Sequence, residues 1–244
     1  AKSGTTAITQ TLRAIGLTHV LQVHSLDPLA LEIGELDYRR RSPEDPPLQV
    51  WDAQFLLLQP RTVARPWRVV TTIREPIGQA VSAFFQTATR HGRLTPETTV
   101  EDVLDQMDLP SQRFNVDWFD EHVAKCLGID VYEHRFDPEV GYTTIEAEHL
   151  QWLVLRRESL DRAPDALATF FGRSEPIPFR SANVGAEKAY AELYHDTLQA
   201  VRVPPELVEQ VCASRLVRHF YADHEIEALR ARLRNASACA LPAT

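Results

Sequence analysis

Three stretches of this 244-residue chain hold side chains suited to binding an anion. The first is Lys2-Ser3-Gly4-Thr5-Thr6, followed at once by Ile8, Leu12 and Ile15 at helical spacing. A helix N-terminus presents unbonded N–H groups and the positive end of the helix dipole, so a small, glycine-containing approach can cradle phosphate. Lys2 adds a full charge and the threonine hydroxyls further donors. Lys precedes Gly here, unlike the common nucleotide loop Gly-x-x-x-x-Gly-Lys-Ser/Thr, and a plain helix cap by Ser3 or Thr5 would use the same residue types. The second stretch is Val69-Val70-Thr71-Thr72-Ile73-Arg74-Glu75-Pro76. It puts Arg74 at the C-terminal end of a buried-strand pattern, where open α/β sheets bind ligands, with Ser82 two turns into the next helix. Pairing of Arg74 with Glu75 or another acid is the alternative. The third runs from Phe179 through Arg180, Gly185 and Lys188, a loop with two cations and a glycine before a helix. A solvated turn would look the same.

The elements that must position these residues follow from hydrophobic pattern. Short Val, Ile and Leu-rich runs at 18–24, 67–73, 128–133 and 151–156 have the composition of buried parallel strands. Val81, Phe84, Phe85 and Ala88 line one helix face after Pro76, and helical patterns recur at 100–107, 114–127, 160–171, 186–201, 205–214 and 223–234. Strands alternating with helices predict an α/β fold with a central parallel sheet. The charged, proline-rich stretch 39–47 reads as a surface loop, and 237–244 as a frayed tail. No internal repeat or composition shift divides the chain, so one domain over 1–244 is expected.

Composition narrows the classes. With 44% hydrophobic and 25% charged residues the chain is globular rather than disordered, and no apolar run approaches the roughly 20 residues of a membrane span. The formal net charge of −8 argues against a protein that holds nucleic acid by its overall field. Cys126, Cys212 and Cys239 are too few and too scattered for a disulfide framework or a zinc site. With no signal peptide read, a reducing cytoplasm is the expected compartment. Of 26 basic residues only Lys2, Lys125 and Lys188 are lysine; coding bias explains the scarcity, but two of the three fall in the anion-binding stretches.

As an ordered set these motifs resemble the sulfotransferases that use 3′-phosphoadenosine 5′-phosphosulfate. Lys-Ser-Gly-Thr-Thr opening a helix is similar to that superfamily's 5′-phosphosulfate loop. Arg74 and Ser82 have the spacing of its Arg and Ser that contact the 3′-phosphate of the donor. Phe179, Arg180, Gly185 and Lys188 match in register a late loop over the same phosphate, although Ser181 and Ala182 replace its Lys-Gly. Arg74-Glu75-Pro76-Ile77, Ser82-Ala83-Phe84-Phe85-Gln86, Gly128-Ile129-Asp130-Val131-Tyr132 and His219-Phe220-Tyr221 look like bacterial capsular polysaccharide synthesis proteins within that superfamily. The resemblance implies a three-layer α/β/α, P-loop nucleoside-triphosphate-hydrolase-like fold whose first strand would precede Lys2. Ala7 stands where many members place an adenine-stacking aromatic, a role that Phe84, Phe85 or Phe179 would have to take.

The chemistry so implied is in-line sulfuryl transfer to a hydroxyl of a saccharide or small molecule, leaving 3′,5′-adenosine diphosphate. The resemblance gives Lys2, Ser3, Gly4, Thr5 and Thr6 the 5′ end of the donor, with Lys2 also stabilising the leaving phosphate. It gives Arg74, Ser82, Arg180, Gly185 and Lys188 the 3′-phosphate. Val23-His24-Ser25-Leu26 looks like the family's catalytic histidine segment, and His24, ending a strand pattern, is the expected base; a structural strand-end histidine is the alternative. Gln10 occupies the position of a helix-borne Glu base in some carbohydrate sulfotransferases and cannot serve. No metal-ligand spacing is present, and no metal is expected. Residues 26–66, 90–113 and 136–150 are expected to be the loops that choose the acceptor. An ATP-dependent phosphotransferase with an atypical loop, and a non-catalytic nucleotide-binding protein, are the competing classes.

Overall fold

The computed structural model describes residues 4–41, 48–58, 66–107, 114–147, 149–179 and 190–235. Lys2, Ser3, Arg180, Gly185 and Lys188 lie outside them, as do 42–47 of the proline-rich stretch and the tail 237–244. The chain is mixed α/β and forms two compact units. The first holds the described residues of 4–73 and 117–179, and the second those of 74–116 and 190–235.

The first unit is built on a three-stranded sheet of order β1-β3-β2, with β1 at Trp67–Ile73, β2 at Tyr142–Ala147 and β3 at Leu150–Arg156. β3 is central because Trp152, Leu153, Val154 and Leu155 form a continuous apolar run that both faces can bury. It runs parallel to β1, with Thr71 opposite Val154, and antiparallel to β2, with Ile145 opposite Trp152. Leu153 and Leu155 pack with Ile8 and Leu12 of α1 (Thr5–Ala14) and with Leu167 and Phe170 of α7 (Ala163–Phe170). Each such fully buried side chain stabilises by about 1.5–3 kcal/mol. On the opposite face Trp152 meets the Phe119 ring, centroids 5.8 Å apart, and its indole N–H donates to Thr71 Oγ1 at 3.0 Å.

Several elements differ from expectation. The sheet is mixed rather than all-parallel among the described residues, because the chain returns directly from β2 to β3. Residues 18–24 form no ladder; side chains take up their backbone groups instead, Arg13 Nη2 donating to Val20 O and Asp52 accepting from Gln22 N–H. Within 128–133 the Asp130 carboxylate accepts from Tyr132 N–H at 3.0 Å and bends Val131–Glu133 into a 3₁₀ turn. Much of 26–66, expected as loop, is helical: α2 spans Pro28–Arg41 and α3 spans Leu48–Leu58.

The second unit is helical among the described residues: α4 (Pro76–Arg90), α5 (Val100–Met107), α8 (Ala191–Ala200), α9 (Pro205–Ala213), α10 (Arg215–Phe220) and α11 (Asp223–Asn235). The expected face of α4 is the buried one: Val81, Phe84, Phe85 and Ala88, joined by Ile77. Ser214 stops α9 and starts α10 by accepting from Val217 N–H at 3.3 Å. Cys126 and Cys212 are free thiols. Among the described residues no group of side chains has the makings of a metal site, and no helix is long and apolar enough to cross a membrane.

Candidate functional site

In the strand-containing unit, α1 starts from Gly4, whose φ of 102° is left-handed backbone that a side chain would strain, and among the described residues no side chain caps the helix. A Cβ at Gly4 would also lie 3.0 Å from Leu160 Cδ1. Among the described residues, then, no carboxylate or hydroxyl takes the first backbone N–H groups of α1, at the positive end of the helix. Thr5 and Thr6 are half-buried in this turn. Gln22 spans the first two turns from outside: its amide donates to Thr5 Oγ1 at 3.4 Å, and its Oε1 accepts from Thr9 Oγ1 at 3.5 Å.

Two residues beyond Gln22 in the chain stands His24, the expected base. Burial pushes the His24 pKa down to about 4, a side-chain hydrogen bond with Gln49 opposing the shift. Its Nδ1 is buried without a hydrogen-bond partner. The imidazole is thus neutral across the physiological range. The His24 backbone is held by a segment inside the expected helical stretch 114–127, to which the sequence reading gave no part in the site. Phe119–Ala124 is a π-helix running into α6 (Lys125–Leu127), a geometry that recurs at functional sites. Trp118, at its start, donates its indole N–H to the His24 carbonyl at 3.3 Å. One turn on, His122 Nδ1 is 3.2 Å from Ser25 Oγ. Burial lowers the His122 pKa against the opposing charges of Asp27 and Glu121.

In the helical unit Arg74 is buried, and its Nη2 donates to Tyr194 Oη of α8 at 2.6 Å. The Glu75 carboxylate caps α4, accepting from Gly78 N–H at 2.6 Å and Ile77 N–H at 2.9 Å, and Arg232 Nη2 of α11 lies 3.4 Å from the same group. The Arg74 guanidinium lies close over the first turn: a Cβ at Gly78 would sit 3.3 Å from its Nε and Nη2. Ser82, half-buried, is one turn beyond Gly78 on the same side of α4. Phe85, next on that side, meets Tyr194 edge-on and Tyr190 at a tilt, each centroid 5.2 Å away.

The expected residues accordingly fall into two sets. Gly4, Thr5, Thr6 and His24 gather in the strand-containing unit. Arg74 and Ser82 share one side of α4 in the helical unit. Trp118, His122 and Tyr194 join them as polar partners that no motif announced; an aromatic pair at 190 and 194, four residues apart on one helix face, was the available signal for the last. The NKWYS family, described as "Putative capsular polysaccharide synthesis protein", has a model that matches residues 105–222, a stretch holding Trp118, His122 and Tyr194. No curated protein and no solved structure matches the chain.

Proposed function

We propose that this chain transfers the sulfuryl group of 3′-phosphoadenosine 5′-phosphosulfate to a hydroxyl of a saccharide or small molecule. One observation supports this reading above the rest. α1 opens on a left-handed glycine with its first N–H groups uncapped by any of the described residues, directly after Lys2 and Ser3 in the sequence. Such an end is suited to the charge that builds on a leaving phosphate, and Lys2 would add to it. The donor, when bound, supplies an activated sulfur whose bond to the bridging oxygen breaks as the acceptor oxygen attacks. His24, neutral before the step, is assigned by resemblance the proton that the acceptor hydroxyl loses. Arg74 and Ser82 take the 3′-phosphate in this reading, and Tyr194 holds the guanidinium in one orientation. Arg180, Gly185 and Lys188 precede Tyr190 in sequence and are assigned the same phosphate by resemblance. The similarity to a capsular polysaccharide synthesis family favours a sugar hydroxyl as acceptor. The three-layer P-loop sulfotransferase fold is part of this proposal.

Thermal denaturation with 3′,5′-adenosine diphosphate tests it. A ligand at 100 times its dissociation constant stabilises by about 2.7 kcal/mol, which raises the midpoint of a chain this size by about 5–10 °C. No shift with either donor or product at concentrations well above micromolar overturns the proposal, and a magnesium-dependent shift with ATP instead would favour phosphoryl transfer. With donor binding established, His24→Ala should abolish turnover and leave the affinity for 3′,5′-adenosine diphosphate nearly unchanged.

A further inference from the structure

Nine of the ten large hydrophobic side chains exposed among the described residues lie on α2 and α3. Leu29, Ile33 and Leu36 recur along one side of α2, and Trp51, Phe55 and Leu58 at the same spacing along α3, with Leu58 82% exposed. The remaining sides of these helices are already in use: Leu31 and Ala53 are buried, and Glu35 Oε2 accepts from Gln54 Nε2 at 3.0 Å where the helices meet. A helix apolar on more than one side belongs in an interior. Scattered exposed apolar residues need no explanation, but a cluster of this size exceeds what monomers commonly show. Side chains exposed to this extent present on the order of 800 Å² over α2 and α3 together, about half of it on α2, against about 800 Å² per partner in a standard interface.

The charges on α2 say what fits it. Glu32 and Arg40, both exposed, stand four residues to either side of Leu36 on the stripe that holds Leu29 and Ile33. An antiparallel copy of α2, related by a two-fold axis at Leu36, would set Glu32 of each copy against Arg40 of the other while Leu36 meets Leu36. An anionic lipid surface would instead meet Glu32 within the stripe, on a chain of net charge −8. We propose that α2 packs antiparallel on α2 of a second copy of this chain, forming a two-fold dimer.

Sedimentation equilibrium of the full chain tests the proposal without any substrate. The expected result is reversible association to twice the 27.7 kDa chain mass, complete by ~100 µM. Leu36→Asp should give a monomer whose circular dichroism is unchanged, because the side chain lies on the surface. Glu32→Arg and Arg40→Glu should each weaken the dimer about tenfold or more, and the two together should restore it to within about threefold, since every pair is then reversed rather than lost. A single-chain mass at all concentrations overturns the proposal. So does a dimer indifferent to Leu36→Asp, a double swap no better than its parts, or Leu36-dependent flotation of a monomer with phosphatidylserine vesicles.

Discussion

Helices α1 and α4 both begin where an anion is expected to bind, yet their ends are built in opposite ways. At α4 the Glu75 carboxylate takes two N–H groups of the first turn, and Arg232 braces it from α11. At α1 a left-handed glycine leads in and, among the described residues, no side chain caps. A helix end closed by its own carboxylate has spent its dipole on the fold and repels a second anion. Whatever α4 offers a phosphate must therefore come from side chains, Arg74 and Ser82, whereas α1 has its backbone to offer. The contrast separates a cap that stabilises from an end kept open.

Removing the cap is the strongest way to break this contrast. Glu75→Ala deletes two charge-assisted bonds and leaves Arg232 without its carboxylate, so a loss of about 2–3 kcal/mol is expected, lowering the melting midpoint by about 5–10 °C. Thr5→Ala at the open end removes one long hydroxyl contact with Gln22 and should cost under ~1 kcal/mol. Equal losses in the two variants, read by denaturant unfolding, would show that α1 is capped after all.

The open region also holds a histidine whose charge burial opposes. The His24 pKa is about 4 when folded and about 6.5 in an unfolded chain. Between those values the unfolded chain binds more protons, so the stability His24 contributes is complete above pH 6.5 and is lost as pH falls toward 4. The difference in stability between the native protein and His24→Gln should shrink by about 2 kcal/mol over that interval. Nuclear magnetic resonance of the imidazole supplies the direct measurement, and titration near 6.5 would refute burial as the controlling influence.

Which parts of this were legible beforehand follows from how local each signal is. Ile8, Leu12 and Ile15 of α1 and Val81, Phe84, Phe85 and Ala88 of α4 sit at helical spacing on a single face, and the sequence alone placed both helices. α2 and α3 escaped because their apolar residues occupy more than one face, which erases the period. Residues 18–24 have strand composition, but a strand needs a neighbour, and Arg13 and Asp52 supply side-chain partners in place of a ladder. Glu75 reads as a partner for Arg74 when only adjacency is known; its role as a cap depends on where the first turn of α4 points. The depressed pKa of His24 is the least local of all, since burial depends on how the unit packs around it, and its neighbours Gln49 and Trp118 are far off in sequence.

At the open end, Gly4→Ala should cost about 1–2 kcal/mol in backbone strain and lower affinity for 3′,5′-adenosine diphosphate about tenfold, because the N–H groups that follow would tilt. Gly16 makes the matching control: its φ of 89° imposes the same kind of strain, yet a Cβ there meets nothing within 4 Å. Gly16→Ala should therefore destabilise without touching affinity. Isothermal titration of the two variants separates strain from site, and an equal fall in affinity would remove Gly4 from the site.

The smallest expected effect decides what Arg74 is for. Tyr194→Phe keeps the edge contact with Phe85 but deletes the oxygen that accepts from Arg74 Nη2. The loss in stability should be about 1 kcal/mol, the usual net value of one hydrogen bond. If Arg74 only fastens α8 to the start of α4, that is the whole consequence. If it binds a 3′-phosphate, a loosened guanidinium also narrows the preference for 3′,5′-adenosine diphosphate over adenosine 5′-monophosphate, by about threefold, while Arg74→Ala removes most of that preference. The ratio of the two affinities cancels general damage to the fold, so an unchanged ratio in both variants would leave Arg74 as a fastening residue alone.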